Sequence, residues 1–341
     1  MAKLKLEWRR QTLHTRHRWA TAQGGINEKQ TIVVSVEHEG LIGRGEATPS
    51  ALFGQSLEGA EAALEECKEL LGDDPFAIAE VLDRLIDHVD EARDVIAAVE
   101  TALHDLAARK LKMPVWRYLG LPEPRIKTTF SIGIATPDEI REKVREALAA
   151  GFDRLKVKVG GEHDLKTLQI IRESFDGPLY LDANQGWTPE TAPAKIREIA
   201  PFKPVLLEQP ISKKLTAELK PLRELGLMPI FADEACERPT DIIRLKDVVD
   251  GVNIKFNKCG GIRQALAMID IARACGLQIM LGCFVSSSLA IAPALAVASR
   301  VDHADLDGAL LLADDPFTSL IACDKGLLTP RAGDGFGGDG K

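Results

Sequence analysis

The sequence predicts an α/β barrel of the (β/α)7β type behind an N-terminal α+β capping domain. From residue 126 onward, short apolar runs alternate regularly with amphipathic helical patterns. Before that point, residues 1–48 read as β-strands and residues 57–111 as helices. Strands that alternate with helices pair in parallel through right-handed crossovers, and eight of them at even spacing close into a barrel. No GxGxxG follows any strand, which removes the main signature of a dinucleotide-binding sheet.

The cap is expected over residues 1–122. Runs 3–7, 30–37 and 41–47 alternate apolar and polar residues and predict an antiparallel meander. Two loops are expected between them and the helices. One is a polar loop over 14–29 that contains Gln23 and Gly24; the other, over 48–55, contains Phe53. Loops held by a small sheet are frequent carriers of function. Helical spacing marks 60–71, 75–88 and 92–111, and Gly-Leu-Pro-Glu-Pro at 120–124 is the linker.

The barrel is expected over 126–320, and a C-terminal segment over 321–341. Its eight strands are read at 127–132, 154–159, 179–181, 205–207, 230–232, 251–256, 278–281 and 304–306. Gly151, Gly226 and Gly276 follow intervening helices, where a left-handed cap is wanted.

The 341 residues are 45% hydrophobic and 28% charged, ordinary for a soluble globular chain. A net charge of −8 offers no broad basic face for nucleic acid. Six scattered cysteines form no CxxC pair and predict free thiols in a reducing compartment. No stretch is long and apolar enough to span a membrane, and the N-terminus lacks an apolar leader core. A cytoplasmic enzyme is expected, without nucleic-acid or membrane partners and compatible with a homo-oligomer.

Charged residues at the strand ends carry the chemistry. Lys158, Asp182, Glu208, Asp233 and Lys258 follow one another at intervals of 24, 26, 25 and 25 residues. That interval is the structural repeat, so each residue takes the same height on its strand, at the C-terminal mouth where barrel enzymes work. Three carboxylates there repel one another, and a hard divalent cation relieves the repulsion; Mg²⁺ suits an all-oxygen donor set. Lys156 and Lys158 share one face of their strand. Near a cation, and for Lys158 beside Lys156, an ammonium is disfavoured, so each lysine is expected to approach a useful base. Lys158 precedes the acids around the ring and Lys258 follows them. A proton removed from one side and returned on the other describes a racemase or epimerase working through a metal-stabilised enediolate.

These residues resemble the enolase superfamily, muconate-lactonising subgroup. The resemblance covers nearly the whole chain and rests on Lys156-Val157-Lys158, on Asp182, Glu208 and Asp233, and on Lys258 in its Lys-Cys-Gly-Gly context. It implies a modified TIM barrel whose cap is completed by the C-terminal segment, one Mg²⁺ per subunit held by the three acids, and Lys158 and Lys258 as opposed bases. Lys156 then tunes Lys158 or helps to position a substrate carboxylate. In the eighth strand, Asp305-Leu306-Asp307 resembles the aspartate pair with which dipeptide epimerases hold the substrate α-ammonium. Ser131, Cys283 and Val285 fall where that group lines its dipeptide pocket. Gln23, Gly24 and Phe53 fall in the specificity loops.

The implied reaction is inversion of the α-carbon of a dipeptide's C-terminal residue. The alternative is a lyase or cycloisomerase of the same subgroup, such as o-succinylbenzoate synthase or muconate cycloisomerase, whose substrates bring no ammonium for the aspartates. Where Ala-Glu epimerases carry a cap-loop arginine, this chain reads Ala22-Gln23-Gly24, with Arg16 and Arg18 nearby but out of register. Beyond Cys283 it has Ser286-Ser287-Ser288, where many relatives have an acid. Both differences weigh against Ala-Glu specificity and leave room for a non-acidic dipeptide.

Overall fold

The structure, a computed structural model, describes residues 2–338. Residue 1 of the expected cap and residues 339–341 of the expected C-terminal segment lie outside the described residues. The cap opens with a long antiparallel hairpin, β1 (Lys5–Thr21) and β2 (Gly24–His38), to which β3 (Leu41–Ala47) adds. The expected loop over 14–29 is thus a correction: it is the outer half of that hairpin. Pairing runs to His14 opposite Glu28, shifts register, and resumes from Trp19 opposite Ile26 to Thr21 opposite Gly24. The sequence conceals this because the arm leaves the cap core. Most of its side chains are exposed or half-buried, so alternation fades while the backbone ladder continues. The arm lies along the barrel, with Arg16 N donating to Leu311 O (2.9 Å), Ala313 N to His14 O (2.8 Å) and Ile134 N to Ala20 O (2.9 Å).

Three helices follow, α1 (Leu57–Leu70), α2 (Ile78–Val89) and α3 (Arg93–Lys110). α3 is buried from Arg93 to Ala108. It packs so closely on β3 that a Cβ at Gly43 would stand 2.0 Å from Ala102 O. Glycine is what permits that approach.

Eight parallel strands form the barrel in strict chain order: Phe130–Ile132, Leu155–Lys158, Leu179–Asp182, Leu206–Glu208, Ile230–Ala232, Gly251–Ile254, Gln278–Gly282 and His303–Asp305. First and last are tied by Thr129 N donating to Ala304 O (3.3 Å) and Leu306 N to Thr128 Oγ1 (2.7 Å). Gly151, Gly226 and Gly276 take the left-handed conformation after their helices, at φ 79, 65 and 72.

Two strand expectations need correction. The run 127–132 divides, because Ile126–Lys127 pairs with a hairpin of Ile321–Asp324 and Leu327–Pro330, and only Phe130–Ile132 enters the barrel. The run 251–256 stops at Ile254, and a one-turn helix, Phe256–Cys259, carries Lys258. Past the hairpin the chain reaches back to the cap. Val115 N donates to Gly335 O (2.8 Å), and Phe336 N to Asp105 Oδ1 on α3 (3.0 Å). Among the described residues, no helix is long and apolar enough to cross a membrane.

Candidate metal centre and active site

The second barrel strand turns Leu155 and Val157 toward the helices and Lys156 and Lys158 into the barrel; all four are buried. Parallel pairing sets Lys158 beside Asp182, and Asp182 beside Glu208. Asp233 follows the next strand. Asp182, Glu208 and Asp233 are buried and offer carboxylate oxygens all within 4.8 Å of one another. This is the cluster that the spacing predicts.

Four ammonium groups face it. Lys156 Nζ lies 3.1 Å from Asp182 Oδ2, 2.7 Å from Glu208 Oε2 and 2.6 Å from Asp305 Oδ2. Lys158 Nζ is 2.6 Å from Asp182 Oδ2. Lys255 Nζ is 2.7 Å from Asp233 Oδ2 and Lys258 Nζ 2.5 Å from Asp233 Oδ1. Burial pulls the Asp182 pKa upward, but Lys158 and Lys156 outweigh it and hold the carboxyl down at about 2. Asp233 is held well below the usual carboxylate range by Lys255 and Lys258, against its burial. Glu208 goes the other way: burial, then repulsion from Asp182, pushes it up to about 8. Lys156 stays protonated, because Asp305, Glu208 and Asp182 together overcome the penalty of burial.

The donor set fits a hard divalent cation. Glu208 Oε1 accepts from Asn253 Nδ2 at 2.7 Å, but Oε2 is buried and accepts no hydrogen bond, even with Lys156 Nζ 2.7 Å away. An oxygen so placed, among three converging carboxylates, is a ligand in need of a cation.

Asp305 and Asp307 lie across the mouth on the last strand and just beyond it. Ser131 joins them: its Oγ is 3.2 Å from Asp305 Oδ1 and 3.1 Å from Asp307 Oδ1, and its N donates to Asp307 Oδ2 at 2.6 Å. Thr129 Oγ1 also donates to Asp305 Oδ1, at 2.8 Å. Burial and the neighbouring Asp305 push Asp307 up to about 7.

Between cap and barrel lies a cavity of about 680 Å³. Of the residues singled out in the sequence, Gln23, Gly24, Ser131, Lys158, Asp233, Cys283, Val285, Asp305 and Asp307 reach its wall. Lys156, Asp182, Glu208 and Lys258 are not on that wall, and Lys156 and Lys258 are among the most deeply buried large side chains of the protein. Gln23 fastens the arm tip by donating from Nε2 to Asn184 O (2.7 Å), and Gly24 sits at φ 131, where a side chain would be strained. Phe53 stands back, its ring 6.0 Å from that of Phe284, while Ser50, Ala51 and Leu52 line the cavity. Ser287 turns away as well, to a hydrogen bond with Glu46 of the cap.

Sequence reasoning missed Asn253, on the sixth barrel strand, and Lys255, in extended backbone just past its end; the same i, i+2 rule that marks Lys156 and Lys158 could have found them. It also missed Glu234, on the cavity wall with neither carboxylate oxygen hydrogen-bonded and its pKa up at about 7 through burial and Asp233.

Comparison with known proteins agrees with this geometry. Residues 7–120 match the mandelate racemase / muconate lactonizing enzyme N-terminal domain, and residues 139–339 match the enolase C-terminal domain-like family. The chain is 35% identical to the L-Ala-D/L-Glu epimerase of Bacteroides thetaiotaomicron, over 92% of this chain and 82% of that one. It is 34% identical to a hydrophobic dipeptide epimerase of Enterococcus faecalis, over 93% of each. The crystal structure of the E. faecalis V583 dipeptide epimerase complexed with Mg and L-Leu-L-Tyr superposes with a TM-score of 0.92 at 31% identity, covering 98% of this chain and 99% of that one. The substrate-liganded L-Ala-D/L-Glu epimerase of Bacillus subtilis gives a TM-score of 0.92 at 29% identity, covering 99% and 98%. The chain belongs to the mandelate racemase / muconate lactonizing enzyme family of enolase-like barrels, in the branch that holds the dipeptide epimerases.

Proposed function

We propose that this chain is a Mg²⁺-dependent dipeptide epimerase that inverts the α-carbon of the C-terminal residue by proton transfer between two lysines. What supports the reading is that Lys158 Nζ reaches Asp182 and Lys258 Nζ reaches Asp233, the first and last acids of the cluster in strand order. These three acids would hold the ion. A divalent cation held there would supply positive charge beside the substrate carboxylate and so make the neighbouring carbon acid easier to ionise. Lys158 takes or gives the proton on one face of the α-carbon, and Lys258 does so on the other. Lys156, fixed by Asp182, Glu208 and Asp305, positions the floor of the site. Asp305 and Asp307, joined through Ser131, present paired oxygens to the substrate α-ammonium. Similar proteins have been crystallised with Mg and a dipeptide together, which supports a site that takes both.

The cap side of the cavity is formed by Trp19, Thr21, Gln23 to Ile26 and Ser50 to Leu52, and none of these is charged. Burying a charged side chain there without a partner would cost several kcal/mol, on the order of 3 or more. The side chain of the substrate's C-terminal residue is accordingly uncharged. Incubation of an L,L-dipeptide library in D₂O, read by mass, tests the whole reading. Deuterium should enter one position of dipeptides with apolar C-terminal residues, cease with EDTA and return with Mg²⁺. Absence of exchange from every dipeptide would refute it.

A further inference from the structure

Arg16 and Arg18 miss the reaction cavity, and the structure places them on a second one. This cavity, of about 320 Å³, lies between the β1 arm, the first barrel strand and the helix Pro137–Ala149. Trp19, Ser131 and Leu311 line both cavities and form the partition.

Its far wall holds Lys143, which is only 8% exposed. Among the described residues Lys143 donates no hydrogen bond and makes no ion pair. The acids on its own helix are engaged elsewhere or remote. Glu146 accepts from or pairs with His17 Nε2 at 3.1 Å, and Glu139 Oε2 caps the helix at Thr136 N (2.7 Å). Burial pulls the Lys143 pKa below the usual lysine value, against Glu139, Glu146 and Glu142. Arg16 is oriented by its Nε, which donates to Leu312 O at 2.7 Å, and leaves its terminal nitrogens without partners among the described residues. Arg18 also lines the cavity, and its guanidinium lies across Gly25, where a Cβ would come within 2.4 Å of it.

Three cations with one His-paired carboxylate make the lining net positive. Cations gathered round one cavity repel one another, and an anion that enters offsets that repulsion. We propose that this cavity is a carboxylate-binding site, with Lys143 at its base and Arg16 and Arg18 at its rim. The carboxylate has two sources. It is the side chain of an acidic N-terminal substrate residue, reached past Ser131 from the aspartate pair, or a free dicarboxylate. Only the first source rests on the epimerase reading.

Two measurements on the Mg²⁺-loaded protein test this. In calorimetric titration with glutarate, a free-ligand site gives saturable binding that Lys143→Met and the exposed Arg16→Gln each weaken by about tenfold or more. In kinetics, a substrate subsite makes kcat/KM for L-Glu-L-Leu exceed that for its neutral isostere L-Gln-L-Leu by about tenfold, and in Lys143→Met that ratio falls to about one. Either pattern supports the site and names its source. Lys143→Met keeps the aliphatic stem, so an unchanged Tm separates loss of the site from loss of the fold. Glutarate binding that is absent or insensitive to Lys143→Met, together with a Glu/Gln ratio near one, overturns the proposal and leaves the epimerase reading standing. If no dipeptide is turned over, the epimerase reading fails, and the glutarate titration alone decides the site.

Discussion

Lys156 Nζ stands 2.6 Å from Asp305 Oδ2, joining strands whose residues lie 149 positions apart in the chain. The same ammonium reaches Glu208 and Asp182, so one buried charge links the metal acids to the aspartate pair. Breaking a buried pair from one side leaves the other charge uncompensated and costs about 3 to 5 kcal/mol. Lys156→Met should destabilise the protein by that amount in EDTA. In Mg²⁺ the loss should be smaller, because the ion compensates Asp182 and Glu208. Urea unfolding with and without Mg²⁺ makes the comparison; an equal loss in both would deny the link.

A second buried acid ties the cap to the barrel. Glu46 on β3 accepts hydrogen bonds from Ser287 N and Oγ, and burial pushes its pKa up to about 7 from the usual 4.5. The folded state holds a proton that the unfolded chain releases earlier. Its contribution is complete below pH 4.5 and is lost as pH rises through about 7, for a total near ~3 kcal/mol. Glu46→Gln should flatten this part of the stability profile. Asp307 and Glu234 titrate in the same window, so the difference between wild type and variant, measured between pH 5 and 8, is the quantity to read.

A charge placed at the arm tip should shift substrate preference. Gln23 reaches the cavity wall and holds Asn184 O at 2.7 Å. Gln23→Arg gives up that bond and brings a cation to an otherwise uncharged rim. The ratio of kcat/KM for L-Ala-L-Glu to that for L-Ala-L-Leu should rise by about tenfold. An unchanged ratio would show that the C-terminal side chain lies away from the arm.

The barrel and its acids were legible because both follow one period. A strand-helix repeat that returns an acid at each strand end fixes Asp182, Glu208 and Asp233 at one height, and the strands deliver them there. Two departures have local causes. Lys258 reaches Asp233 from a one-turn helix, since the strand ends at Ile254 and the chain turns before the lysine. The β1–β2 arm escaped notice because hydrophobic alternation reports burial, and the arm is built by backbone pairing over water. Arg16, Arg18 and Lys143 come from a strand and a helix more than 120 residues apart, and no spacing in the chain announces that meeting.

The central claim is that Lys158 and Lys258 serve opposite faces of one carbon. Deuterium exchange of each separate epimer in D₂O, with Lys158→Ala and Lys258→Ala, tests it most directly. Each variant should exchange the α-proton of one epimer only, a different one for each, and neither should interconvert the two. Exchange of both epimers by Lys258→Ala at the wild-type rate would contradict the account.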